Sequence, residues 1–578
     1  MTGQSNNTLP RREDVEAIAA RRKAQVLIIG GGINGISTFR DLALQGIDVV
    51  LVERNDFASG ASSASSHMIH GGIRYLENGE FRLVRESVQE RNGLLKVAPH
   101  YVKPLPTTIP IFSTFSGILS APLRFVTHKQ GKPKERGAFL IKIGLSIYDS
   151  FSRDGGNVRR HRFVGRRASL KTLPQLNDKL KYTATYYDGS LVNPERLALD
   201  VLTDALATGP HARAANYVEA VGAADDQVLL RDRLTGDEFS FAADVVVNAS
   251  GPWTDLTNSA LGVETRFMGG TKGSHIVLDN EELLAACKGR ELFFENDDGR
   301  IVLIYPLMGR VLVGTTDLEA DLSVPAVCTE DEIDYFFGLV SHVFPRVRVD
   351  RDQIVYRFAG VRPLPHHEDT QPGFVSRDYR IVEDDIPGLP TTKNLSLVGG
   401  KWTTFRALGE HLANEVLAAL GAPRTVSTAG LAIGGGADFP LSTDAEQEWA
   451  ARYGAGLSTE RTLALLARYG TNARGVIGFL KERGDARLQS SSEYSAPEIE
   501  YLATQEHVVH LTDILLRRTT VAFRGVLTRE LALEIGDILA GALNWTPARH
   551  AEELAEASRE LSDSHGLDLD LHLVTHSA

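Results

Sequence analysis

The chain has 578 residues, 43% hydrophobic and 24% charged, an ordinary globular composition with room for roughly two to four domains. Its 62 Lys and Arg against 74 Asp and Glu leave a net charge of −12, so no overall positive field gathers a phosphate backbone and nucleic acid is excluded as a partner. Two cysteines without CxxC spacing, Cys287 and Cys328, exclude a disulfide framework and a zinc site, and no run of about 18 apolar residues forms a spanning helix.

Residues 1–23 are polar and charged, with Arg11 and Arg12 but no apolar stretch behind them. They read as a flexible leader, not a secretory or twin-arginine signal. Residues 26–53, VLIIGGGINGISTFRDLALQGIDVVLVE, then order strand, glycine turn, helix and second strand, with an acid at the end. Gly30, Gly32 and Gly35 fill G-x-G-x-x-G: the first permits the sharp exit from the strand, the second lets backbone approach a pyrophosphate, and the third lets the helix pack on the strand. Ile36, Phe39 and Ala43 give the helix an apolar face, Gly46 ends it, and Glu53 is placed to accept from ribose hydroxyls. The ligand class is a dinucleotide.

A serine loop follows, with Ser62, Ser63, Ser65 and Ser66 as small donors where a diphosphate and ring system can lie against backbone. A helix is predicted near residues 81–97. The window 101–150 holds seven Lys/Arg (Lys103, Arg124, Lys129, Lys132, Lys134, Arg136, Lys142) against two acids (Glu135, Asp149), a surplus of five positive charges between apolar flanks. That combination suits the interface of an anionic bilayer, and equally a solvated loop between two core segments.

Strand-like alternation dominates to about residue 375, interrupted by the helix ERLALDVLTDALA. VVVNASGPW then delivers a second buried strand into a small-residue turn at 248–253, and SLVGG stops at Gly399-Gly400 before KWTTFRALGEHLANEVLAAL, an amphipathic helix capped by Thr403 or Thr404. The positive end of that helix can stabilise negative charge on a reduced flavin, so these segments favour flavin over nicotinamide. GLAIGGGADF reads as a linker, and the amphipathic stretches beyond residue 430 as a separate helical domain.

In family order, GGGINGIS, SSASSHMIHGGIRYLE, FRLVRES, NASGPW, KGSHIVL, VGTTD, AGVRPL, GGKWTTF and HVVHLTDILLRRT resemble the FAD-dependent glycerol-3-phosphate dehydrogenases, over nearly all of residues 24–545. The resemblance implies an α/β fold: a Rossmann-like FAD-binding domain with an inserted antiparallel-sheet substrate domain, and a helical C-terminal domain. The expected division is 24–100 with 185–265 and 375–430 for FAD, 101–184 with 266–374 for substrate and membrane contact, and 431–578 for the helices. It further implies oxidation of sn-glycerol 3-phosphate, a quinone acceptor and peripheral attachment to the cytoplasmic face of the cell membrane, with a homodimer allowed. Another polyol phosphate such as erythritol 4-phosphate, and oxygen as acceptor, stay open.

The expected FAD contacts, from motifs and resemblance together, are Gly30, Gly32, Ile33, Asn34, Gly35, Glu53, Ser62, Ser63, Ser65, Ser66, Gly71, Gly72, Val218, Ser250, Gly251, Trp253, Gly400, Lys401, Thr403 and Thr404. A phosphorylated polyol needs fixed cations, and Arg74 with Tyr75, Arg362 and Lys401 sit in Gly- or Pro-bounded turns beside those segments. By resemblance these four line the substrate pocket, with His275 beside them. Dehydrogenation also needs a base that titrates near neutrality, which excludes arginine. His70, four residues before Arg74, is the first choice, with His275 and Lys401 as rivals. The catalytic set is therefore His70, Arg362 and Lys401. Thr315, Thr316 and Asp317 are expected to order a strand beneath the flavin, and His366-His367 to be a solvated pair without metal. His67, Met68, Trp402 and Phe405, and the length near 113–136, depart from the expected bacterial pattern.

Overall fold

Val26–Ile29 and Val49–Val52 are apolar on both faces, and each becomes a parallel strand enclosed on both sides. The computed structural model describes residues 12–72, 81–112, 141, 142, 144–146, 148, 149, 159–296, 300–366 and 378–571. In it the strand Lys23–Ile29 lies between Glu238–Asn248 and Val49–Val52, and the eight-stranded sheet continues to Ala212–Ala215 on one side and Lys393–Val398 and Arg380–Asp384 on the other. All three motif strands, 23–29, 238–248 and 393–398, are adjacent and parallel, so their C-terminal turns open along one edge, where open α/β sheets place their ligands. The helices Ile33–Leu44, Pro194–Leu206 and Phe405–Leu420 cover one face through Phe39, Leu202 and Leu412.

The second sheet has ten strands, from Leu318–Glu319 through Met268–Leu278, 310–314, 301–307, 291–295, Val102–Ile111 and Tyr182–Leu191 to Met68–Ile69. It is antiparallel except where Glu291 and Leu292 run parallel to Thr107 and Thr108, so the expected antiparallel sheet carries one parallel contact. Tyr182–Leu191 crosses the expected boundary at 184/185, because it pairs with Val102–Ile111 along its whole length.

Three other expectations are corrected. Of the expected flexible leader, residues 1–11 lie outside the described residues, and the part that is described is not loose: Glu13–Arg21 is a helix with Val15 and Ile18 buried on the first sheet, and Arg12 is tied to Asp232 at 2.8 Å. GLAIGGGADF is packed, not loose: a Cβ on Gly435 or Gly436 would overlap the carbonyl oxygens of Tyr469 and Val97. The helical domain shares one core with the second sheet, since Met68, Leu105, Tyr305, Tyr356 and Phe358 join Leu465, Leu502, Leu515 and Leu539. The stretch 496–519 is also broken: Ala496–Gln505 is a regular helix, whereas Asp513–Arg518 is a widened π-type turn.

Candidate active site

Gly30 adopts φ +115°, and any side chain there would overlap the Ala249 carbonyl; one on Gly35 would overlap the Gly30 carbonyl. The glycines therefore do what the spacing required, bringing the N-terminus of helix Ile33–Leu44 against the strand exit. Ser62 Oγ accepts from the Ile33 N–H at 2.9 Å, which leaves the Ser62 hydroxyl proton for a phosphate oxygen. Glu53 accepts from the Gly31 and Asn55 N–H groups at 2.7 and 2.8 Å, one on each carboxylate oxygen, so each oxygen keeps a lone pair for a ribose hydroxyl. Burial raises the Glu53 pKa, and those two N–H bonds oppose it.

A cavity of about 1020 Å³ follows this edge, lined by Gly30, Gly32, Ile33, Asn34, Glu53, Ser62, Ser63, Val218, Ser250, Gly251 and Trp253. Asn34 Oδ1 and Thr404 Oγ1 are buried without a partner among the described residues, which is what a site built for a polar, donor-bearing ligand shows. A cavity bordered by the Glu53 carboxylate, a helix N-terminus and the spare Asn34 acceptor fits FAD.

The remaining sites of interest divide. Ser63 Oγ donates within its own loop to Ser59 and Gly60, Ser65 Oγ accepts from the His67 N–H, and Ser66 Oγ meets His275 Nε2 at 2.8 Å. Thr403 Oγ1 accepts from the His70 N–H at 3.2 Å, joining the His70–Gly72 turn to the Gly399–Thr404 turn that carries Lys401. Gly399 and Gly400 take φ +95° and +118°, and a side chain on Gly400 would overlap Asn34, so the two cofactor turns touch. Thr404 is the cap residue of Phe405–Leu420, with no side-chain capping bond. Asp188 accepts from the Gly71 N–H and from the buried Arg91, both at 3.0 Å, and so fixes the histidine turn from below. Arg74 and Tyr75 lie outside the described residues, as do His367 and the window's charges apart from Lys103, Lys142 and Asp149.

Arg362 stands on the long strand Ile354–Pro365, opposite Thr271. Its guanidinium donates to Asp317 Oδ1 at 2.8 Å, Thr315 Oγ1 at 3.0 Å and the Thr316 carbonyl at 2.7 Å. The VGTTD segment thus grips Arg362. His275 is buried, stacked on Phe358 with ring centres 4.8 Å apart, and burial, with Arg362 and His67 adding to it, lowers its pKa to about 3. A base that weak is poorly matched to neutral pH.

His67 is buried as well, its Nδ1–H donating to the Leu191 carbonyl at 3.1 Å, and desolvation lowers its pKa to about 4. These depressed values lie below the unfolded value near 6.5, so the unfolded chain binds more protons between the two. The stability they carry is complete above about pH 6.5 and is lost as pH falls toward 4, at up to about 1.4 kcal/mol per pH unit for each histidine. The unfolding midpoint is expected to drop across that window, and the drop to be smaller in His67→Gln; a flat profile from pH 6.5 to 4.5 would contradict the buried, neutral assignment.

Several contributors came from segments without a local signature. Asp56, three residues past Glu53, takes bonds from Arg518 at 2.7 and 2.8 Å and from Arg517, while Arg517 also reaches Asp513 at 2.7 Å. The charged pair inside the apolar run DILLRRT was the available signal. Trp402 Nε1 donates to the Ser62 carbonyl at 2.9 Å, so this departure from the expected pattern holds the serine loop. His510, Glu553 and Glu556 bring donor atoms within 4.8 Å of one another, but Arg549 sits against both His510 and Glu553 and fills the place of a cation.

Comparison with known proteins agrees with this geometry. Residues 25–415 match the FAD dependent oxidoreductase family, and 426–550 match the C-terminal domain of alpha-glycerophosphate oxidase. A glycerol-3-phosphate dehydrogenase of Synechocystis sp. is 34% identical over 522 residues, covering 86% of this chain and 88% of that protein. The mitochondrial glycerol-3-phosphate dehydrogenase of Bos taurus is 30% identical over 598 residues, 96% of this chain and 76% of its own. Among solved structures, the glycerol-3-phosphate dehydrogenase from Bacillus halodurans complexed with FAD superposes with a TM-score of 0.73 at 24% identity, over 95% of this chain and 97% of that one, which shows the shared fold.

Proposed function

The chain belongs to the FAD-dependent glycerol-3-phosphate dehydrogenases, and on that premise we propose that it oxidises sn-glycerol 3-phosphate to dihydroxyacetone phosphate and passes the electrons to a quinone at a membrane surface. FAD is the cofactor, held by the glycine turn, Glu53, Ser62 and the turns at 248–253 and 399–404. When bound it supplies the acceptor for the hydride.

The observation that carries the reading is the bond between Thr403 Oγ1 and the His70 N–H, which sets a histidine turn and a lysine turn side by side, with Gly400 of the latter against Asn34 of the glycine turn. His70 takes the proton of the secondary hydroxyl; the low pKa of His275, with Nε2 engaged by Ser66, supports that choice over its rival. Arg362 and Lys401 hold the phosphate, with Arg74 and Tyr75 assigned to the same pocket on the strength of the sequence motif. The surplus of positive charge in the window 101–150 supports attachment to an anionic membrane surface, and no helix of the described residues is long and apolar enough to cross a membrane.

The test is anaerobic. Glycerol 3-phosphate is expected to bleach the flavin band faster than erythritol 4-phosphate does, and no bleaching by either would end the reading. His70→Asn is expected to remove an ionisation from the pH profile of that bleaching; an unaltered profile moves the role to Lys401.

A further inference from the structure

The backbone of the His70 turn is held from two domains at once. His70 N–H donates to Thr403 Oγ1 on the cofactor side at 3.2 Å, while the next amide, Gly71 N–H, donates to Asp188 Oδ1 on the second sheet at 3.0 Å. Met68 pairs with Ser190 and Ile69 with Gly189 just before this point, and the same register continued by one residue faces His70 with Asp188.

Beneath the turn lies a charged cluster for which the reaction has so far had no use. Asp188, Arg91 and Tyr148 are all buried. Asp188 Oδ1 accepts from Arg91 Nη1 at 3.0 Å and from the Tyr148 hydroxyl at 2.6 Å, and Arg91 Nη1 also donates to the Tyr187 carbonyl at 2.9 Å. Tyr148 presses on the turn itself, since a Cβ on Gly71 would overlap its hydroxyl. Burial pushes that hydroxyl well above its usual range, which keeps it a donor. The three side chains come from helix Phe81–Val97, from strand Tyr182–Leu191 and from Tyr148 between them in sequence, so the cluster exists only in the folded chain.

A buried ion pair is a weak source of stability, because desolvation cancels much of the attraction and apolar residues of similar volume commonly serve as well. What the pair does supply is an acceptor fixed at one point in space. A carboxylate locked by Arg91 and Tyr148 does not follow the Gly71 amide; the amide is set by it. Position matters at a proton acceptor, where a displacement of about 1 Å can lose about a hundredfold in rate.

We propose that Asp188 is a positioning residue for the oxidation: locked by Arg91 and Tyr148, it fixes the Gly71 amide and through the backbone the direction of the His70 ring. The proposal rests on the reading of His70 as the group that takes the hydroxyl proton.

Anaerobic bleaching of the holoenzyme by glycerol 3-phosphate is followed across pH by stopped flow, together with FAD content and thermal unfolding, for the unaltered protein and three variants. Asp188→Asn and Asp188→Ala both leave Arg91 without its carboxylate and share that loss of stability, but Asn keeps an acceptor for the Gly71 N–H. Arg91→Met combined with Asp188→Leu removes both charges, so it is expected to unfold at or above the temperature of the unaltered protein. The limiting bleaching rate is expected to fall about tenfold or more in Asp188→Ala and in the paired variant and to stay within about threefold in Asp188→Asn, with FAD content and the apparent Kd for glycerol 3-phosphate unchanged throughout. Rates that follow the unfolding midpoint instead, low in Asp188→Asn and normal in the paired variant, overturn the proposal, as does an Asp188→Ala rate equal to that of Asp188→Asn. The ionisation in the pH profile is assigned to His70 and is expected to persist in all three variants. If His70→Asn leaves that ionisation in place while Asp188→Ala is slow and Asp188→Asn is not, the anchoring of the turn stands and the identity of the base fails.

Discussion

Asp56→Ala is expected to cost about 3–5 kcal/mol of stability and to weaken FAD retention in the same variant. The carboxylate lies at the seam between the FAD-binding and helical domains, with Arg517, Arg518 and Asn216 Nδ2 bonded to it and no solvent exposure on either Asp56 or Arg518. Burial alone would raise the Asp56 pKa, but the guanidinium groups of Arg518 and Arg517 hold it well below the usual carboxylate range. Removing it leaves two buried cations with only Asp513, and Glu506 at 4.0 Å, as acidic neighbours among the ion pairs described, and the stranded charge is what makes the loss large. The link to FAD runs through backbone: Asn55 O accepts from Tyr217 N–H, Glu53 O accepts from Val218 N–H, and Glu53 in turn holds Gly31. Thermal unfolding with and without saturating FAD, together with FAD dialysis, separates intrinsic stability from ligand linkage. A variant that unfolds with the unaltered protein, or keeps FAD equally well, would remove the seam from the account.

Arg362→Ala is expected to lower kcat/KM for glycerol 3-phosphate by at least the 10- to 150-fold that corresponds to losing about 1.5–3 kcal/mol from a charge-assisted bond. The loss should reach beyond that range, because the guanidinium also answers Asp317, which the substitution would leave as an uncompensated carboxylate near an anionic substrate. The double variant Arg362→Ala with Asp317→Asn is therefore expected to recover part of the activity. FAD content is expected to stay unchanged in both, with Arg362 held by Thr315, Thr316 and Asp317 on the second sheet. An Arg362→Ala enzyme with unaltered kinetics would make that arginine structural, a clamp on the turn at 314–317 and nothing more.

Much of the cofactor half was legible because its requirements are local. Gly30, Gly35 and Gly400 each stand where a side chain would strike a neighbouring residue, so the glycine spacing encodes the geometry directly. The strand runs VLII and VVVN needed no partner to be recognised, since only strands enclosed on both faces are apolar throughout. Other readings failed for the same reason in reverse. A charged segment such as residues 12–23 looks loose until Val15 and Ile18 find a face on the sheet, and GLAIGGG looks like a linker until its glycines are found pressed on Val97 and Tyr469.

By itself, then, the chain's order of residues determined the dinucleotide unit, because it rests on spacing within about thirty residues, and the family, because nine motifs stand in the same order over residues 24–545. Only the tertiary structure decided that His275 is a weak base, how Arg362 is gripped, and that Asp56 and Arg517, 461 residues apart in the chain, meet at the border of the cofactor cavity. Burial and charge neutralisation set those roles, and both are properties of the assembled interior: a histidine loses its basicity, or a carboxyl keeps its proton, only when distant elements close over it.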